Sequence, residues 1–112
     1  MKELKFYEIM EGDLGGDSWL REVATSIREA EKDARAYRKN TDCEEIFVRK
    51  NVLKFENLAD FSEAKELLNS IKNKCWPNSR IIENIIELAD YYDPMFDCEV
   101  TLSILVRGNY GR

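Results

Sequence analysis

The sequence predicts an α+β fold: a two-layer sandwich with a mainly antiparallel sheet of three or four strands and three helices on one face, in the order β-α-β(β)-α-α-β. Two observations predict it. Apolar residues recur every three or four positions in three segments, and they alternate with polar residues near the C-terminus. The 112 residues are 44% hydrophobic. We expect one domain over residues 1–107 and a flexible tail over 108–112.

The first half is predicted to form a strand and a long helix. Residues 4–10 have apolar side chains at both odd and even positions, which indicates a strand that is interior or covered on both sides. Three glycines in residues 11–17 indicate a loop, and Asp17 or Ser18 is the expected helix N-cap. The helix itself is expected over residues 18–39. Its apolar stripe comprises Trp19, Leu20, Val23, Ile27, Ala30, Ala34 and Tyr37.

The second half is predicted to contain strands around two helices. Residues 45–55 fit either a hairpin that turns at 50–51 or a single bulged strand. Asp60 and Glu63 form a capping-box-like start of the second helix. Pro77 interrupts the helical pattern before a third helix that extends to about residue 91.

The third helix and the last strand have distinctive patterns. We expect Asn78 or Ser79 to cap this helix, whose wide apolar arc predicts a second buried contact and therefore a homodimer. From Phe96 to Val106 apolar and polar residues alternate, which predicts a strand with one solvated face.

Composition and charge exclude several functions. Lys and Arg number 17 against 22 Asp and Glu, so the formal charge of −5 argues against a basic nucleic-acid footprint over the whole domain. The absence of His removes the commonest general base and zinc ligand. We therefore expect no metal, no cofactor and no enzymatic activity.

The cysteines and the N-terminus bear on location. Cys43, Cys75 and Cys98 fit neither a disulfide framework nor a zinc pattern, so reduced thiols in the cytoplasm are expected. The N-terminus lacks the order of a signal peptide, and no apolar run is long enough to span a bilayer.

One candidate site is a basic ridge on the first predicted helix. Residues 18–39 hold six basic and four acidic groups, whereas residues 1–17 and 77–112 are each acidic overall. Arginines at seven-residue spacing lie on one helical stripe, where guanidinium groups can bind phosphates or carboxylates. The alternative is an ordinary solvated helix face. The ridge comprises Arg21, Arg28, Lys32 and Arg35, with Arg107 or Arg112 as possible additions and Tyr37, Phe47 or Tyr110 as stacking partners for a base.

The second candidate site lies in residues 90–99, which combine four carboxylates with three aromatic residues and a methionine. Aromatic residues and Met are enriched in protein interfaces, and carboxylates attract a basic partner. The alternative is a loop that covers the core, and Trp76 is a further possible anchor. The predicted partner-binding residues are Asp90, Tyr91, Tyr92, Asp93, Phe96, Asp97 and Glu99.

These sites give two hypotheses. The first is a small acidic intracellular protein that neutralises a partner, such as a nuclease or toxin, by occupying its basic surface. Immunity proteins, antitoxins and phage inhibitors of host defence are proteins of that class. The alternative is a sponge or sensor that binds a small anion such as a nucleotide through the basic ridge.

Overall fold

The computed structural model describes residues 1–13, 15–40, 45–102 and 104. The elements are β1 (Lys2–Gly12), β2 (Ser18–Ala24), α1 (Ile27–Asn40), β3 (Glu45–Phe55), α2 (Leu58–Ile71), α3 (Ser79–Leu88) and β4 (Tyr91–Phe96), and residues 98–102 and 104 form a further helix, α4. The strands form one antiparallel sheet in the order β2-β1-β3-β4. The predicted α+β class and four-stranded antiparallel sheet are confirmed. The expected tail, 108–112, lies outside the described residues.

Helices cover both faces of the sheet, whereas they were expected on one. On one face Phe6 and Phe55 belong to a core shared with α2 and α3. On the other face Ile9 and Val48 belong to a second core, shared with α1 and α4. The apolar residues on both parities of β1 explain this arrangement, because two apolar faces of an interior strand each need a cover.

The predicted helix over residues 18–39 is wrong in its first third, where the edge strand β2 lies. A bulge inserts Arg21, so that Leu20 pairs with Met10 and Glu22 pairs with Ile9. Leu20 and Val23 consequently join the same core although they are three residues apart. This spacing imitates a helical period. Ser26, and neither Asp17 nor Ser18, accepts the hydrogen bond from the first turn of α1.

The predicted last strand is also wrong, because the final strand ends at Phe96 and α4 follows it. Val100 and Ile104 are four residues apart, a spacing that fits a helical face as well as one face of a strand. Both are buried in the second core. The Asp97 carboxylate accepts a hydrogen bond from the Val100 N–H and so caps α4.

Several boundaries are now defined. Residues 45–55 form a single strand with a regular register against β1, and neither the hairpin nor the bulge is present. Asn57, and not Asp60, caps α2, whereas Asn78, one of the two predicted candidates, caps α3. The third helix ends at Leu88. Only glycine fits at residue 12, which has a φ of 130° and where a Cβ would lie 2.4 Å from the Asp17 carbonyl oxygen.

Candidate functional site

The predicted partner-binding segment forms the edge strand β4 and the turn into α4. The Asp97 N–H donates to the Val48 carbonyl at 2.9 Å. Along an antiparallel strand, successive residues direct their backbone N–H and C=O groups alternately toward and away from the neighbouring strand. The backbone groups of Tyr92, Pro94 and Phe96 therefore point away from β3. Proline lacks an N–H, so its position on the outer side of an edge strand costs no ladder hydrogen bond.

Large apolar side chains remain exposed along this strand. Tyr91 is 48% exposed, Met95 42% and Phe96 38%. The Phe96 ring meets the Phe47 ring edge-on, with 6.4 Å between centroids. A cavity of about 260 Å³ adjoins them, comparable in size to a large side chain. We call this surface the β4 patch: Tyr91 together with the cavity-lining residues Phe47, Arg49, Pro94, Met95 and Phe96.

A chain of polar contacts holds β4 against the sheet beneath this patch. The Tyr92 hydroxyl donates to Asn51, and the Asn51 amide donates to the buried carboxylate of Glu8, both at 2.9 Å. Arg49 donates to both oxygens of the same carboxylate, which raises the pKa of its guanidinium. Burial also raises the pKa of Tyr92. The cavity is thus built on a hydrogen-bonded network that crosses three strands.

The four carboxylates of this segment have different surroundings. Asp90 accepts a hydrogen bond from the Glu56 N–H at 2.8 Å, and Asp97 caps α4. Within the described part of the chain, the side-chain carboxylates of Asp93 and Glu99 make neither an ion pair nor a hydrogen bond. Two predicted site residues therefore support the fold, and two remain available to a partner.

The strand also separates the predicted aromatic residues. Tyr92 and Phe96 lie on the same side of the sheet as Leu53 and Arg49, their partners in β3. Tyr91 lies on the other side, where Lys54 approaches its ring at 5.2 Å. Tyr92 packs against the first core, so this residue of the predicted site supports the fold.

The predicted basic ridge is broken at its first member. Arg21 lies in β2, while Arg28, Lys32 and Arg35 remain on α1. A cavity of about 660 Å³ lies against α1, and its described lining includes these three residues. Arg35 forms an ion pair with Glu31. Arg107, Tyr110 and Arg112 lie outside the described residues.

No pattern in the sequence indicates the cluster that Arg21 joins instead. Its guanidinium carbon lies 4.6 Å from the ring centroid of Tyr37 and 4.3 Å from that of Trp76. It also approaches the Glu11 carboxylate at 3.6 Å, to which the Trp19 indole donates at 3.1 Å. These residues come from four separate segments, so no spacing in the sequence connects them.

The apolar arc of α3 has an explanation within the chain. Ile82 and Ile85 are buried in the first core, and Ile81, Ile86 and Leu88 pack against it. The expected homodimer therefore stays a prediction.

None of the described helices is long and apolar enough to cross a membrane. The described residues include no group of three or more potential metal ligands of the Cys, Asp and Glu type. The chain matches no protein-family model, no curated protein and no solved structure at a significant level.

Proposed function

We propose that this chain is a non-catalytic binding protein that neutralises a partner protein by docking the β4 patch on a basic surface of it. One observation carries the proposal. Two exposed large apolar side chains of the six-residue edge strand β4, Met95 and Phe96, line a cavity, and a third, Tyr91, is exposed on the same strand. Burial of a Phe or Met side chain is worth about 1.5–3 kcal/mol when complete, so a partner that covers them gains affinity.

The charges around the patch favour a basic partner. Asp93 and Glu99 have no partner among the described residues, and they flank the apolar side chains in sequence. The charge of Arg49 is balanced by Glu8, with which it forms an ion pair at 3.0 Å. A basic surface would therefore meet two carboxylates beside the apolar centre, on a strand that also borders Lys50 and Lys54 of β3.

A pull-down with matched variants tests this proposal. Met95→Glu places a charge in the patch, whereas Leu58→Glu makes the same change at an exposed position at the start of α2. The full chain and L58E are expected to retain the same host protein, and M95E is expected to lose it. Retention of the same proteins by all three chains would contradict the proposal.

The charge contribution is tested separately with Asp93→Asn and Glu99→Gln. In the double variant, the affinity for the captured protein is expected to fall and to depend less steeply on salt. Asp90 and Asp97 stay unchanged in this variant, because their side chains stabilise local structure. An unchanged salt dependence would remove the charge argument and leave only the apolar contact.

We keep the cytoplasm as the proposed location. Cys75 and Cys98 are exposed free thiols, which a reducing compartment maintains. Immunity proteins, antitoxins and anti-defence inhibitors remain the classes that this proposal favours.

The second candidate function is capture of a small anion along α1. The supporting observation is the cavity of about 660 Å³ beside Arg28, Lys32 and Arg35. Nucleotides are expected to raise the thermal unfolding midpoint of the full chain but not that of Arg28→Ala with Lys32→Ala. Lys74→Ala, an exposed change outside this cavity, is the control. If no nucleotide changes the midpoint, this candidate is rejected.

A further inference from the structure

A buried carboxyl group lies between β2 and α1, on the opposite edge of the sheet from the β4 patch. Glu22 is only 6% exposed. One of its oxygens, Oε1, accepts a hydrogen bond of 2.5 Å from the Tyr37 hydroxyl. The other, Oε2, is buried without a hydrogen-bond partner among the described residues. A buried carboxylate oxygen without a hydrogen-bond donor destabilises the folded state, because it has lost its contact with water and gained no donor in return.

A candidate partner for Oε2 is a second carboxyl group. Asp33 lies one helical turn before Tyr37 on α1, so the Tyr37–Glu22 hydrogen bond places the face that carries Asp33 beside Glu22, and the Asp33 carboxyl raises the pKa of Glu22. If both carboxylates are ionised, they repel each other and neither can donate a hydrogen bond. A single proton held between them supplies the missing donor and removes one of the two negative charges.

Other charged groups around Glu22 do not remove this repulsion. From α1, Glu29 adds negative charge, and Tyr37 donates its hydroxyl. From β1, Glu11 and Tyr7 lie on the same face, paired with Trp19 and Ala24 of β2.

Arg21, the cation next to Glu22 in the sequence, is directed elsewhere. Arg21 is stacked on the rings of Tyr37 and Trp76 and approaches Glu11. Cys75, from the loop after α2, lies near Tyr37 and contributes to the raised pKa of the Tyr37 hydroxyl. The described surroundings of Glu22 are therefore predominantly negative.

We infer that Glu22 and Asp33 share one proton, and that this proton is a pH-sensitive lock between the edge strand β2 and helix α1. When the proton is lost, a second negative charge is confined beside Asp33 and Glu29. The part of α1 that carries Glu29 and Asp33 is then repelled from β2. Because Tyr37 contacts both Glu22 and Arg21, and Arg21 stacks on Trp76, the change reaches an exposed indole ring.

The direction of the pH effect follows from the burial of Glu22. Burial and the neighbouring Asp33 raise the pKa of Glu22 from 4.5 to about 7. The folded chain therefore holds a proton that the unfolded chain releases at lower pH. The stabilisation is complete below about pH 4.5 and is lost as the pH rises to about 7.

Urea unfolding of the full chain at pH 5.5 and 8.5, followed by tryptophan emission, tests the lock. The urea midpoint of the wild-type chain is expected to be lower at pH 8.5 than at pH 5.5, with the fall complete by about pH 7. In Glu22→Gln, the side-chain amide supplies a permanent donor to Asp33, so most of that fall is expected to disappear. Glu99→Gln, which removes one exposed carboxylate, is expected to keep it.

A second variant keeps the inference testable if Glu22→Gln does not fold. In Asp33→Asn the new amide donates to Glu22, which can then ionise without repulsion, and the transition is expected to move to lower pH. A wild-type midpoint that is the same at both pH values would overturn the inference. So would a Glu22→Gln chain that retains the full pH dependence.

Discussion

The two edges of the sheet are protected in different ways. At β2, the backbone N–H groups of Asn73 and Trp76 donate to the carbonyls of Val23 and Arg21, so the loop after α2 covers this edge. At β4, no backbone hydrogen bond from the described part of the chain reaches the outer side, where Pro94 removes one donor. The covered edge is closed to another strand, while the uncovered edge keeps its apolar side chains accessible.

The protection of the β2 edge includes strained backbone. Trp76 has a φ of 55°, a left-handed conformation that a bulky residue rarely adopts. Its N–H bonds to β2, and its ring stacks on Arg21. A loop therefore shields one edge strand, while a single proline limits pairing along the other and leaves room for a partner.

The largest expected effect comes from breaking the network that fixes β4. Asn51→Ala leaves the Tyr92 hydroxyl without its acceptor and removes one donor from the buried Glu8 carboxylate. We expect the free energy of unfolding to fall by about 2–3 kcal/mol, measured by urea denaturation. Asn84→Ala, at an exposed position of α3, is the control and should change it little. Equal stability of the two variants would mean that the network does not hold this edge.

A smaller effect is expected at the covered edge. Trp76→Ala removes the ring that stacks on Arg21, at a cost of about 1 kcal/mol in the free energy of unfolding. Trp76→Phe keeps an aromatic ring and should recover part of that loss. If the free energy of unfolding falls by the same amount in both variants, the stability of this edge depends on the shape of the loop and not on the stacking.

The smallest effect on stability is expected from opening the uncovered edge. Pro94→Val adds an outward N–H to β4, and we expect a change in the free energy of unfolding within about 0.5 kcal/mol. Self-association measured by light scattering should nevertheless increase. Met95→Val is the matched control, because the Met95 backbone faces β3 and adds no outward donor. A Pro94→Val chain that associates no more than the control would show that Pro94 does not protect this edge.

The site residues differ in how far the sequence could reveal them. The exposed side chains of Tyr91 and Phe96 were predicted, because a local cluster of aromatic and acidic residues is visible in the sequence. The structural roles of Asp90 and Asp97 were not, since their hydrogen-bond partners depend on where Glu56 and Val100 lie. The group around Arg21 was missed because its members meet only after the bulge and the loop at Trp76 have formed.

Apolar periodicity and capping chemistry are local properties, so they were enough to predict the α+β class, the interior position of β1 and a cap of α3 at Asn78 or Ser79. Packing in the folded chain selects strand for residues 18–24 and helix for residues 98–102 and 104. Leu20 and Val23, like Val100 and Ile104, have spacings compatible with both structures, once a bulge is allowed in β2. Their choice depends on which core they fill, and burial in a core outweighs the small differences in local propensity.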